Sequence, residues 1–279
     1  MKNRIFKLIK RDLIVGFEKN KYKFLVIALV FTIIIYANAY GLRSQAIELG
    51  ISNNDINFVD LFFSIFKGIN YNKFPLPINW ILINMYTTYL IGSYCYDDLS
   101  EESYNVIVRS KDRKNFWISK VVWMVITIIT FYILLLFLIT FFSITIFNVS
   151  FEWSTFSKET LLEVIQTNWV GFYFILFTLF IYFLTSITIA IIQLIISFII
   201  KLRYIYIINI FIFILSIFSN EFIIPIQGSL ILRQNIFNKL YHINPLNSVM
   251  YNLIVFVISF IIGFKYIEKI DILRSQNND

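Results

Sequence analysis

Charge is what this sequence has least of. Asp, Glu, Lys and Arg make up 15% of its 279 residues, against roughly a quarter in an ordinary soluble domain. A fully solvated surface is excluded over most of the chain. Cysteine and histidine occur once each, as Cys95 and His242. One cysteine excludes an internal disulfide and a thiolate metal cluster, and one histidine excludes any site needing two imidazoles. At the end of an apolar run, Cys95 reads as a small packing residue. The eight glycines are isolated and none precedes Lys-Ser or Lys-Thr, so the chain cannot cradle a nucleotide in a P-loop. Catalysis finds little to work with.

What is present is hydrocarbon. Apolar residues reach 58% and the mean hydropathy is +0.74. Uncharged runs at 74–96, 121–151, 164–200 and 243–264 exceed the ~18 residues that a spanning helix requires. Two shorter runs, 24–42 and 204–220, suffice once their polar flanks sit at the interface. Six transmembrane helices in one all-α membrane domain, 1–279, are therefore expected. Ala37-Asn38-Ala39 imitates a signal-peptidase site, but 23 largely polar residues precede the run. We expect an uncleaved first span.

Orientation follows from the bases. With a cytoplasmic N-terminus, eighteen of the 24 Lys and Arg fall on inner segments and six on outer ones, the bias that sets topology. Both termini are then cytoplasmic, in a cell membrane. The net charge of +7 reflects topology and attraction to anionic headgroups, not nucleic-acid binding.

Within 1–23, Ile5, Ile9, Leu13 and Phe17 recur four apart opposite basic residues. That pattern predicts an interfacial helix or a simple basic anchor. In the long outer loop 43–73, Phe58, Leu61, Phe62, Ile65 and Ile69 repeat at helical spacing against Asn57, Asp60, Ser64 and Lys67. An amphipathic helix on the outer surface is expected there. Pro75 and Pro77 mark entry to the second span. The 121–151 run is long enough to tilt or project, and Trp153 and Trp169 suit an interfacial belt. Between the fifth and sixth spans, 220–246 is too apolar for an ordinary loop, yet Pro225, Gly228 and Pro245 break it. Outer re-entrant helices would explain both facts.

The stretch 97–120 holds five acids and five bases between two spans. Asp97, Asp98, Glu101 and Glu102 lead; Arg109, Lys111, Arg113, Lys114 and Lys120 follow. Glu101-Glu102 suggests the paired glutamates of intramembrane prenyl-protein proteases. The pattern fails, because Val106 stands where an arginine belongs and further histidine motifs are impossible. Ser100 before two glutamates has the form of an N-cap. Tyr104, Asn105, Val106, Ile107 and Val108 make an apolar patch between acidic and basic shoulders. Such a finger suits a groove on a soluble partner. A solvated loop would explain the bases, but neither the four acids nor the patch.

This arrangement resembles the permease subunits of bacterial ABC-2 type transporters. The likeness lies in the basic N-terminal helix, six spans, the acidic exit from span 2, and Arg113 followed by Lys120 entering span 3. Glu102-Ser103 replaces that family's usual Gly-Thr, Ser110-Lys111-Asp112 its usual small-residue/Pro turn, and the first outer loop is long. The resemblance implies that the hairpin at 97–115 is a coupling helix, docking through Tyr104, Asn105, Val106, Ile107, Val108, Arg109 and Arg113 on a separate ATP-binding subunit. ATP and magnesium would be held by that partner, with no cofactor in this chain. A second permease copy, identical or not, would complete the exporter. The conduit would lie between spans 2 and 5, where Asn84, Thr87, Thr88 and Ile91, and Asn209, Phe213, Ser216 and Asn220, each share a face. The same polar residues also suit a role as glue between helices. Neither face is ionisable, which argues against a proton relay and for an amphipathic or apolar cargo such as a peptide, antibiotic or lipid-like molecule. The alternative is a scaffold or immunity protein that docks a partner and conducts nothing.

Overall fold

The computed structural model describes residues 2–52, 55–69, 76–97, 113–160, 171–219, 224–236 and 243–269. Within them the chain is helical, with only isolated bridges (Asn57 with Asn148, Gln234 with Ile243) and no strand. Eight α-helices follow in order: α1 Lys2–Glu48, α2 Phe58–Phe66, α3 Ile78–Asp97, α4 Arg113–Ile146, α5 Thr155–Thr160, α6 Gly171–Ile196, α7 Leu202–Phe218 and α8 Pro245–Lys269. Two 3-10 turns, Pro225–Ser229 and Ile231–Arg233, lie between α7 and α8. The composition forces this outcome. Where water is absent, a helix satisfies its own backbone without help.

Four of these helices, α1, α4, α6 and α8, are long and apolar enough to cross a membrane. The other two expected spans are α3, of 20 residues, and α7, of 17. Side-chain pairs fix the direction of all six. Phe31 meets Phe131 and Tyr36 meets Phe142, so α1 and α4 run parallel. Asn20 donates to the Leu90 carbonyl and Asn79 to the Asn38 side chain, which sets α3 antiparallel to α1. Tyr132 bonds Ser186 and Phe151 beyond α4 meets Phe172, which makes α6 antiparallel to α4. Trp80 meets Phe213 and Tyr89 meets Tyr206, so α7 is antiparallel to α3. Lys114 pairs with Glu268 while Trp117 packs on Phe260, so α8 is antiparallel to α4. Direction therefore alternates from α1 through α3, α4, α6, α7 and α8. The start of α1, the end of α3, the start of α4 and the end of α8 share one end of the bundle. The charged stretch 97–120 leaves α3 and enters α4 at that end.

Two expectations change in form. The N-terminal helix and first span are not separate elements: α1 is one helix of 47 residues, about 70 Å long at 1.5 Å per residue. The amphipathic helix expected at 58–69 exists as α2, but it does not lie on a surface. Eight of its nine residues are buried, against α1, α3, α4 and α6. The apolar, Pro-broken segment enters the bundle as the two 3-10 turns, with Ile226, Leu230 and Ile231 buried. Prolines set two helix starts, Pro77 just before α3 and Pro245 as the first residue of α8, where the missing N–H costs little.

Candidate functional site

At the end of the bundle where α3 stops and α4 starts, α1, α3 and α4 are tied by a buried polar knot. Asp12 and Lys120 are each 1% exposed and form an ion pair at 3.1 Å. Ser119 Oγ donates to the second Asp12 oxygen at 2.6 Å, and the Tyr94 hydroxyl donates to the first at 3.1 Å. Lys120 Nζ also donates to Tyr94 Oη at 3.2 Å and lies over the Tyr94 and Phe116 rings. Arg11 reaches Asp12 from the solvated side at 3.3 Å. Every polar atom of the pair thus has a partner, the condition under which buried charges are tolerated. Below the knot, Tyr94 packs on Trp123 at 4.4 Å. A methyl group at Gly16 would overlap that same indole, so glycine lets α1 approach α4 there.

The knot sits where α3 ends and α4 begins. Tyr94 is near the end of α3, and Ser119 and Lys120 lie in the second turn of α4. The very start of α4 is fastened to α8. Arg113 donates to the Glu268 carbonyl at 2.9 Å, and Lys114 pairs with the Glu268 carboxylate at 2.8 Å. Of the expected docking residues, Arg113 lies here, while Tyr104, Asn105, Val106, Ile107, Val108 and Arg109 lie outside the described residues.

The expected conduit residues are brought together. Asn84, Thr87, Thr88, Asn209, Phe213 and Ser216 are all buried, where α3 and α7 meet within one chain. Gln193 of α6 joins the two faces, donating to the Thr88 carbonyl at 2.9 Å and accepting from Asn209 Nδ2 at 3.3 Å. Trp80 packs edge-on against Phe213 at 6.1 Å. Thr87, Thr88 and Ser216 return their hydroxyls to their own helices. Asn84 Nδ2 does the same to Trp80, leaving its Oδ1 buried without a partner. Asn220 lies outside the described residues. Sequence reasoning missed Gln193, although an amide in an uncharged run is itself a signal.

The far end of the seam is closed by Arg233, which is 2% exposed. Its guanidinium donates to the carbonyls of Ser216 (2.8 Å), Ile217 and Ser219 (3.0 Å), and to Gln227 Oε1 at 3.1 Å. Gln227 Nε2 donates to the Ser216 and Ser219 carbonyls. These are the acceptors a helix end leaves open, so the 3-10 segment supplies the C-terminal cap of α7. A cation also suits the negative end of the helix dipole. Trp80 Nε1 to Ser229 Oγ, at 2.8 Å, pins the same segment to α3.

A fourth cluster holds α2 at this end. Asn57 and Asp60 form a reciprocal capping box, the Asn57 N–H donating to Asp60 at 2.8 Å. Ser154 donates to Asp60 at 2.9 Å, and Ser157 also donates to it. Burial pushes the Asp60 carboxyl above its ordinary 3.8, while the bonds from Ser157, the Asn57 N–H and Ser154 act the other way. Asn57 and Asp60 read as the polar face of a surface helix in the sequence; they are instead interior joints. Compared with known proteins, the chain matches no family model, no curated protein and no solved structure.

Proposed function

We propose that the chain is the permease subunit of an ATP-driven exporter of the ABC-2 type, with both termini in the cytoplasm of a bacterial cell. It moves an amphipathic or apolar cargo across the plasma membrane, working with a second permease copy and a separate ATPase that binds ATP and magnesium. The observation that carries this reading is the Asp12–Lys120 knot at the hairpin stem. A finger that only solvates charge needs no such footing. A finger that receives force must pass it to the bundle without bending at its base. Three helices locked by an ion pair and two hydroxyls, with a fourth tied through Glu268, provide that footing. The cargo path follows the seam between α3 and α7, lined by Asn84, Thr87, Thr88, Asn209, Phe213 and Ser216.

The test is docking. Val106→Asp or Ile107→Asp places a charge in the apolar patch and should abolish co-purification with the proposed ATPase subunit. Assembly and coupled ATP hydrolysis that survive both changes would remove the coupling assignment. Assembly lost without any cargo movement in the wild type would leave the scaffold or immunity reading.

A further inference from the structure

One face of α3 stays open between its neighbours. Ile78, Leu82, Met85, Tyr86 and Tyr89 fall on one stripe at helical spacing. Ile78 is 62% and Tyr89 42% exposed, and Leu82, Met85 and Tyr86 are partly buried. On the other faces Trp80, Ile83, Leu90 and Ile91 are buried, and Ile81 is partly so. The stripe has two walls. Tyr86 meets Phe31 of α1 at 5.5 Å, and Tyr89 meets Tyr206 of α7 at 6.3 Å. α3 is thus the floor of a groove between α1 and α7.

The groove is apolar along its length and cationic at one end. Lys23 of α1 lies over the Tyr89 ring at 5.0 Å. Arg203, exposed and one turn before Tyr206 on α7, lies over Tyr204 at 4.9 Å. From Ile78 to Tyr89 the floor runs roughly 17 Å at 1.5 Å per residue. One leaflet of hydrocarbon is about 15 Å, half of the ~30 Å core. A spanning helix of a partner would need twice that length.

We propose that this groove binds an anionic phospholipid, with an acyl chain along Leu82, Met85 and Tyr86 and its phosphate between Lys23 and Arg203. Three features select this occupant: the one-leaflet length, the pair of cations at one end, and the tyrosines at headgroup depth, where amphipathic rings settle. A second copy fits less well. A two-fold axis along the membrane normal keeps each residue at its own depth, so cations at this level would face cations. The assignment does not rest on the transport reading.

Native mass spectrometry of the full-length protein tests it, with dioleoyl-phosphatidylglycerol and dioleoyl-phosphatidylcholine as probes. The wild type should retain the anionic lipid preferentially. Each basic residue near a membrane surface contributes about a fivefold preference for anionic lipid. The double variant Lys23→Gln, Arg203→Gln should therefore bind phosphatidylglycerol roughly 30-fold more weakly. Met85→Trp fills the floor and should weaken retention with both cations in place. Lys7→Gln with Lys10→Gln, farther out on α1, should leave the preference intact. Equal loss in that control indicates a diffuse basic surface and overturns the site, as does full retention in both groove variants. Displacement of the lipid by inorganic phosphate also overturns it. So does efficient self-cross-linking of Tyr89→Cys in a Cys95→Ala background, which would put a second copy over the groove.

Discussion

Lys120 shows how much one residue's meaning depends on a distant partner. In the sequence it is the last of five bases in a charged stretch, read as a topology signal and as the Lys that follows Arg113 into span 3. In the fold it is 1% exposed and held by Asp12, 108 positions away, and no local pattern announces that pairing. Removing one member of a buried pair strands the other charge, which costs about 3–5 kcal/mol, whereas neutralising both can cost little. Lys120→Met should therefore destabilise the protein by several kcal/mol on that scale. Adding Asp12→Asn should recover much of the loss, read as melting temperature in detergent. A double variant as unstable as the single would mean that the ion pair is not what Lys120 contributes. Arg233 was equally hidden, counted only as one of six bases on the minority side. It caps α7 through three carbonyls. Arg233→Gln should cost about 3 kcal/mol, since each buried acceptor left open costs ~1–3 kcal/mol. The loss should appear as faster hydrogen exchange confined to the last turn of α7; unchanged exchange there would refute the cap.

Elements were legible where periodicity and uncharged length carry the signal, and their edges were not. The 204–220 run became Leu202–Phe218, and 243–264 became Pro245–Lys269. The 121–151 run starts eight residues earlier, at Arg113, because charges that end a hydropathy window do not end a helix. α2 matched its apolar spacing, but amphipathicity cannot say whether the polar face meets water or another side chain. Here it meets Ser154 and Ser157. That burial gives the element a pH dependence. Asp60's folded carboxyl keeps its proton to a higher pH than the unfolded 3.8, so between these values the folded state binds more protons. Stability from this joint is full below 3.8 and falls as pH rises through the raised value. Amides of α2 and α5 should be better protected at mildly acidic than at neutral pH, after correction for intrinsic exchange. Asp60→Asn should flatten that difference. Protection that instead grows with pH would reverse the sign and sink the argument.

At the scale of the whole molecule, the six-helix alternation is a consequence of the tight hydrophobic text, but the internal seam is not. The sequence offered two polar faces without saying whether they meet. Gln193 answers by bonding both. That contact leaves two roles to separate, because a polar residue that glues helices and one that lines a path can be the same residue. Glue acts on stability and a path acts on transport, so the two readings diverge in one experiment. Asn209→Leu removes the bond to Gln193, and Asn84→Leu removes only a bond to its own helix and an unpartnered oxygen. If the seam is glue alone, Asn209→Leu lowers stability by ~1–3 kcal/mol, the cost of leaving the buried Gln193 Oε1 unpartnered, and Asn84→Leu is neutral or stabilising. Neither then alters transport per folded molecule. If the seam is a path, both change export or resistance at equal amounts of folded protein, and Asn84→Leu does so without loss of stability. Unchanged transport in both variants would leave Asn84 and Asn209 as packing residues and move the conduit elsewhere in the bundle.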